Sequence, residues 1–340
     1  MIKPLFWDME TLKIVNQAKL PDQYELLEIN DHNQMAEAIR KLSIRGAPAI
    51  GIGAAFGLVV GLRNYSNLSH NDFIDKLNEI YEILLKTRPT AVNLEWALDR
   101  MKKVALKNRD TSNQELLKIL TREAQKIHRE DIEYCQKIGK NGAQFIPEKG
   151  RILTHCNTGG LATGGLGTAL GVIITAHKDG KNIQVFVDET RPLLQGARLT
   201  MWELIQEGVP CKLNIDSAAA YLMSRGDIDL IIVGADRIAE NGDVANKIGT
   251  YSLAVLANYH DIPFYVAAPT STIDKNIATG ADIPIEFRGD REIIECGGKR
   301  IAPKTSSTTS PAFDVTPVNL ISKIITEKGI YPAKGYKSLS

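Results

Sequence analysis

Little in this chain marks a special environment. Its four cysteines, Cys135, Cys156, Cys211 and Cys296, form no C-x-x-C pair, so a structural zinc site or a disulfide framework is not expected, and a reduced, cytoplasmic protein is. The six histidines are scattered with no H-x-x-x-H or H-x-x-H spacing, so no metal site is predicted. Charge of one sign is lacking too: 41 Lys+Arg against 40 Asp+Glu give a formal net charge of +1, which argues against nucleic-acid or membrane-surface partners. The one long apolar stretch, Ala47 to Leu62, contains Pro48 and four glycines. It falls short of the roughly 20 residues a bilayer span needs, so a buried helix is predicted and no membrane partner. No signal peptide is expected, and there is no solenoid repeat and no low-complexity tract beyond Thr305 to Ser310, read as a loop.

What the chain has is an ordinary globular composition, 44% hydrophobic and 24% charged over 340 residues, which fits a folded, soluble protein. That length exceeds the size, about 250 to 300 residues, at which a single core stops growing, so two domains are expected. We place them at residues 1–125 and 126–340.

Short apolar runs at Leu5-Phe6-Trp7, Leu12 to Val15 and Tyr24 to Ile29 predict a small antiparallel sheet. Helical spacing follows in Phe73, Leu77, Ile80, Tyr81 and Leu84. After a break at Pro89 it returns in Leu94, Ala97, Leu98, Met101 and Val104, and a further helix or pair covers about Asn113 to Ile138. The rhythm then changes. β-rich runs at Arg151 to His155, Ile183 to Val187, Pro210 to Ile215, Leu230 to Val233 and Phe264 to Ala267 alternate with glycine-punctuated helical segments. Their spacing is that of βαβ units, so the fold class is α/β. A smaller N-terminal domain of short antiparallel sheet plus helices precedes a Rossmann-like domain with an open parallel sheet.

In open parallel sheets ligands bind beyond the carboxyl ends of the strands. The residues just past the first four runs are Cys156, Asp188-Glu189, Asp216 and Gly234-Ala235-Asp236, a thiol and acids directed to one edge. For Asp188 and Asp216 a plain helix cap is an equal reading. Asp236 follows the apolar run Leu230 to Ala235, a setting that favours a protonated carboxyl able to act as a general acid. Cys156 is either a small buried hydrophobe or, standing before the turn Asn157-Thr158-Gly159-Gly160, a functional thiol.

Two segments suggest anion binding. Gly165 to Gly171 has the spacing G-x-G-x-x-x-G and falls inside a predicted helix; with Asp188 ending the next run, it leaves a nicotinamide-dependent dehydrogenase as an alternative. Arg45-Gly46-Ala47-Pro48 opens the glycine-rich helix, where Pro48 suits the first turn, Gly46 exposes backbone N–H groups and Arg45 adds a charge; a capped buried helix with a solvated arginine is the plainer reading. Arg88, and Lys247 after Asn246, are further cations in loop-like settings.

Long blocks carry a family resemblance. RGAPAIGIGAAFG (Arg45 to Gly57), RPTAVNLEWALDRM (Arg88 to Met101), DETRPLLQGARL (Asp188 to Leu199), VGADRIAENGDVANKIGTYSLAVL (Val233 to Leu256) and PAFDVTP (Pro311 to Pro317) closely resemble the methylthioribose-1-phosphate isomerase family. Its superfamily also holds the regulatory subunits of the translation-initiation guanine-nucleotide exchange factor. The resemblance implies a cytoplasmic, homodimeric, cofactor-independent aldose–ketose isomerase of methionine salvage that acts on a sugar phosphate, converting 5-methylthioribose 1-phosphate to 5-methylthioribulose 1-phosphate. The family's catalytic cysteine and aspartate fall on Cys156 and Asp236. Its substrate-binding positions fall on Arg45, Gly46, Ala47, Arg88, Gln195, Asn246 and Lys247, of which Gln195 comes from the resemblance alone. Asp236 then protonates the ring oxygen, and Cys156 assists proton or hydride movement at C1 and C2.

The chain departs from the family at His155-Cys156-Asn157-Thr158-Gly159-Gly160, where His-Cys-Asn-Ala-Gly is usual, and at Asp216-Ser217-Ala218-Ala219 in place of Asp-Asn-Met-Ala. It also has Glu286-Phe287-Arg288-Gly289 for a more charged stretch and Ser310 for Asn. These leave 5-deoxyribose 1-phosphate and ribose 1,5-bisphosphate as alternative substrates, and a non-catalytic binding protein, like the translation-factor subunits, as an alternative class.

Overall fold

A computed structural model describes residues 2–8, 10–88 and 91–332; the break read at Pro89 lies outside them. By its contacts the chain divides into two units, residues 1–136 with 159–167, and residues 137–158 with 168–340.

In the first unit β1 (Leu5–Asp8), β2 (Thr11–Val15) and β3 (Leu26–Ile29) form the expected antiparallel sheet, Leu5 opposite Ile14 and Leu12 opposite Ile29. Then come α1 (His32–Arg40), α2 (Ala47–Leu62), α3 (His70–Leu85), α4 (Val92–Lys107) and α5 (Asn113–Ala143). Asp31 caps α1 by accepting from the N–H groups of Asn33 and Gln34, and Ser69 caps α3 through Asp72 N–H. Where a pair of helices was an option, α5 is one uninterrupted helix whose last turns, from Lys137, belong to the second unit. Its Leu116, Leu120, Ala124 and Ile127 recur at helical spacing and complete the core built around α2.

Helix α2 is apolar on every face, so the favourable place for it is the interior. With the short turn that follows it, Ala47–Tyr65 is by length and composition a stretch able to cross a membrane, yet 83% of its apolar window is buried inside the protein. It is a core helix, as expected.

The second unit alternates β4 (Arg151–Thr154), α6 (Ala169–Lys178), β5 (Gln184–Asp188), α7 (Met201–Gln206), β6 (Cys211–Asn214), α8 (Ala219–Ser224), β7 (Leu230–Val233), β8 (Arg237–Ala239), β9 (Val244–Lys247), α9 (Thr250–Tyr259) and β10 (Phe264–Ala267). After β10 come β11 (Ile273–Asp274), α10 (Arg291–Ile294), the hairpin β12 (Glu295–Cys296) and β13 (Lys299–Arg300), then β14 (Phe313–Thr316), β15 (Lys323–Thr326) and β16 (Gly329–Pro332). All five predicted β-rich runs are strands of one sheet, ordered β16-β15-β10-β7-β4-β5-β6. It is parallel except for β16 at its edge. Numbered in chain order, the six parallel strands run 3-2-1-4-5-6 across the sheet, so the strand order reverses between β4 and β7. That is the crevice position where doubly wound sheets bind ligands. A second sheet, β11-β8-β9-β14, was not anticipated.

One expectation fails here. Gly165 and Gly167 lie outside a helix: α6 starts at Ala169, Gly167 has φ +100°, and Gly159 bridges Gly167 across a closed loop. The loop is held by Gln17 Nε2 donating to Leu161 O (2.8 Å), and by Gly164, whose N–H donates to Asp131 (2.5 Å) and whose carbonyl meets His128 Nε2 (3.2 Å). Tertiary hydrogen bonds override the helical look of the segment, and the glycine run is not a dinucleotide turn.

Candidate active site

Strand β4 is fixed to β7 by Thr154, whose hydroxyl donates to Ile232 O (2.8 Å). Two residues later Cys156, buried at 8% exposure, adopts φ +62°, a left-handed backbone that few non-glycine residues take. Its N–H donates to Thr190 Oγ1 (2.8 Å) and its carbonyl accepts from Thr200 Oγ1 (2.6 Å). Asn157 Nδ2 donates to Thr200 Oγ1 (3.2 Å) and to the buried Glu203 (2.8 Å).

Beside the thiol lies a buried ion pair. His155 Nδ1 faces Asp188 Oδ2 at 2.9 Å, and its Nε2, 2.9 Å from Ile248 O, must donate because a carbonyl only accepts. Burial opposes charge on His155, but the Asp188 carboxylate and the Ile248 carbonyl outweigh it and hold the imidazole pKa above its usual value. Burial likewise raises the Asp188 carboxyl, against the pull of His155. Asp188 also accepts from Asn214 Nδ2 (2.6 Å), so both its oxygens are engaged. At 1% exposure and with both oxygens facing protein partners, Asp188 is turned inward rather than toward a ribose, which weakens the second support of the dehydrogenase alternative.

Asp216 accepts from the N–H groups of Thr190 and Arg191, each at 2.7 Å. Neither acid caps the helix after it; both anchor the carboxyl edge. His155, Asp188 and Asp216 offer ligand atoms within 4.8 Å of one another, near enough for a cation. The His155 ring nitrogens are nonetheless directed at the acceptors Asp188 and Ile248 O, and Asp188 and Asp216 already accept from protein donors.

Asp236, half-buried, leaves β7 and enters β8, and its N–H donates to Ala245 O (2.9 Å). The hairpin β8–β9 thereby joins it to Asn246 and Lys247, both buried within strands. Lys247 Nζ donates to Ala312 O (2.8 Å) and sits 4.6 Å from the centre of the Phe313 ring; Asn246 Nδ2 donates to Thr250 Oγ1 (3.0 Å). Asp314 caps α9 through the N–H groups of Gly249 and Tyr251, and burial raises its carboxyl pKa.

Gln195 is buried at 6% exposure, and its Oε1 has no hydrogen-bond partner among the described residues. An orphaned buried acceptor is costly unless a ligand fills it. Gly196 behind it is obligatory, since a Cβ there would stand 1.7 Å from Asp188 O. It starts the π-helical turn Gly196–Thr200, a local insertion frequent at functional sites.

The remaining candidates belong to the first unit. Gly46, at φ +90°, is the N-cap of α2; a Cβ would lie 2.5 Å from Ala162, so only glycine admits the loop's approach. Pro48 occupies the first turn, and the helix start has no side-chain cap. Arg45 and Arg88 are half-buried and Ala47 is buried. Thus Cys156, Gln195, Asp236, Asn246 and Lys247 lie in the second unit, and Arg45, Gly46, Ala47 and Arg88 in the first. Sequence reasoning missed the hydroxyls of Thr190 and Thr200 and the His155–Asp188 pair; His155, adjoining Cys156, was the one available signal.

Fold and edge together define an α/β protein with a buried thiol and a carboxyl bracketing the point where its parallel sheet reverses order. Residues 43–333 match the model of the Initiation factor 2 subunit family. A methylthioribose-1-phosphate isomerase of Thermotoga maritima is 55% identical over 328 residues, 96% of this chain and 94% of the relative. One of Desulforamulus reducens is 52% identical over 326 residues, again 96% and 94%. The crystal structure of 5-methylthioribose 1-phosphate isomerase from Pyrococcus horikoshii superposes with a TM-score of 0.91 at 45% identity, covering 99% of this chain and 94% of that one. A structure of translation initiation factor eIF-2B, subunit delta, from A. fulgidus gives 0.86 at 42%, covering 98% and 96%. The chain belongs to the Initiation factor 2 subunit family and, within it, to the methylthioribose-1-phosphate isomerases, enzymes of the isomerase class.

Proposed function

We propose that the protein converts 5-methylthioribose 1-phosphate to 5-methylthioribulose 1-phosphate, the aldose–ketose step of methionine salvage, without a cofactor. The observation that carries this reading is the placement of Cys156 and Asp236 just beyond β4 and β7, the two strands flanking the reversal of strand order. The relatives' names supply the substrate.

A phosphate on C1 blocks spontaneous opening of the sugar ring, so the enzyme opens it. Asp236 gives a proton to the ring oxygen as general acid. One hydrogen then passes from C2 to C1 with Cys156 assisting. C2 is oxidised to the ketone as C1 is reduced, and the proton lost from the C2 hydroxyl balances the one gained by the ring oxygen. Family resemblance assigns substrate binding to Lys247 in the second unit and to Arg45, Gly46, Ala47 and Arg88 in the first, where backbone N–H groups and guanidinium charge suit an anion. Gln195 and Asn246 bind the sugar hydroxyls, and the unfilled Gln195 Oε1 favours this.

We further propose a cytoplasmic homodimer. No disulfide joins the four cysteines among the described residues, which is consistent with a reducing compartment. Helix α9 leaves Tyr251, Val255 and Tyr259 exposed at successive turns, and the edge strand β6 and its end leave Leu213 and Ile215 exposed, apolar surface that a second copy would cover.

The test is turnover by the purified protein of 5-methylthioribose 1-phosphate, 5-deoxyribose 1-phosphate and ribose 1,5-bisphosphate, followed as ketose formation without additives. The highest kcat/KM on the first is expected. A preference for another moves the pathway, and no turnover on any of the three contradicts the reading. Sedimentation at micromolar concentration checks the dimer.

A further inference from the structure

We propose that Thr190 and Thr200 are positioning residues for Cys156, holding it through its backbone; the kinetic part of this inference rests on the isomerase reading. Were φ +62° merely the path of the chain, glycine would take it without strain. A cysteine there is disfavoured, and such a residue persists only where its surroundings over-determine it.

The surroundings do so from both sides. Thr190 and Thr200 are essentially fully buried. One hydroxyl receives the Cys156 N–H and the other donates to the Cys156 carbonyl, so both peptide groups flanking the thiol are bound. Each hydroxyl is itself oriented: Thr190 Oγ1 donates to Asp188 O (3.0 Å), and Thr200 Oγ1 accepts from Asn157 Nδ2 (3.2 Å). The Thr190 backbone is tied in turn to Asp216, and Thr200 ends the π-helical turn. With the backbone fixed, the Cα–Cβ direction is fixed and the rotamers open to Sγ are few. Freed from the clamp, Cys156 relaxes toward ordinary backbone and its sulfur points elsewhere.

The test compares Thr200→Val, which keeps the volume and deletes the hydroxyl, with Thr200→Ser, which keeps the hydroxyl. Expected for Thr200→Val is a kcat lowered about tenfold or more with KM within about twofold, since misplacing a reacting group costs rate rather than binding. Thr200→Ser stays within about twofold of the wild type in both. A folded Thr200→Val with wild-type kcat, or one altered in KM alone, overturns the proposal. So does a Thr200→Ser as impaired as Thr200→Val; if the valine variant fails to fold, a folded Thr200→Ser with kcat lowered about tenfold overturns the proposal by itself.

An arm independent of the substrate uses Cys156→Gly, because glycine accepts φ +62° freely. Thr200→Ser and Thr200→Val are each made with and without Cys156→Gly, and unfolding is followed in denaturant. The hydroxyl's contribution to the unfolding constant is expected to be at least about fivefold smaller with cysteine than with glycine at 156, because the unclamped cysteine recovers its backbone strain by relaxing and glycine has none to recover. Equal contributions overturn the clamp whatever the enzyme turns over. A wild type inactive on all three sugar phosphates, with this inequality intact, overturns the function and leaves the clamp standing.

Discussion

Helix α2 hides an almost unbroken apolar surface, with Phe56 stacked on Trp7 at 4.8 Å, whereas the carboxyl edge of the seven-stranded sheet hides His155, Asn157, Asp188, Thr190, Thr200 and Glu203. Both regions are closed to water, for different reasons. In the first, burial is itself the gain, and any apolar shape that fills the space will serve. In the second, each buried polar group costs free energy unless its partner is in place, so the arrangement is specified atom by atom. Stability is therefore spread over the α2 core, while the geometry for chemistry is concentrated at the edge.

That contrast breaks most visibly at the proposed catalytic pair. Cys156→Ser and Asp236→Asn are each expected to lower kcat by about a thousandfold or more, with thermal unfolding shifted by only a few degrees. A variant retaining wild-type turnover removes its residue from the mechanism. Next comes Asp188→Ala, which leaves His155 buried without its carboxylate and Asn214 Nδ2 without an acceptor. A loss of about 3–5 kcal/mol in denaturant unfolding is expected, with activity falling too because the edge loses an anchor. Phe56→Ala, by contrast, should cost about 3 kcal/mol through the cavity it leaves in the α2 core, with kcat unchanged in the protein that remains folded. Equal damage to kcat from Phe56→Ala and Asp188→Ala would erase the distinction between the two regions.

The smallest effect is on pH dependence. Against the cost of burial, the Asp188 carboxylate and the Ile248 carbonyl hold the His155 pKa above its usual value of about 6.5. Between 6.5 and that raised value the folded protein binds more protons than the unfolded chain, so stability from this group is complete below about 6.5 and is lost as pH rises through the folded value. Burial raises Asp188 as well, and proton uptake by the folded state has the same sign. Unfolding measured from pH 6 upward should show this decline in the wild type and a weaker one in Asp188→Ala. A parallel pair of curves would contradict the assigned pair.

The parallel sheet was legible because its strands are apolar runs spaced as βαβ units, and the rule that ligands gather beyond strand ends singled out Cys156 and Asp236 by position. The second sheet was not legible. Its strands β8 and β9 carry Arg237, Asn246 and Lys247, polar residues that break the apolar pattern yet lie buried, because Asp274, Thr250 and Ala312 O pair with them. The loop around Gly164 was misread because its conformation is set by Gln17, His128 and Asp131, residues remote in sequence. The same holds for the two threonines on Cys156: a hydroxyl 34 or 44 residues away leaves no periodic trace. Gln195, whose Oε1 has no partner among the described residues, was found through family resemblance alone.

The central claim is that the thiol and carboxyl at the reversal of the sheet perform the isomerisation. It is tested most directly by following ketose formation from 5-methylthioribose 1-phosphate, with no cofactor added, for the wild type, Cys156→Ser and Asp236→Asn under one set of conditions. The account predicts steady turnover by the wild type and none detectable from either folded variant. Turnover by both variants at the wild-type rate would contradict it.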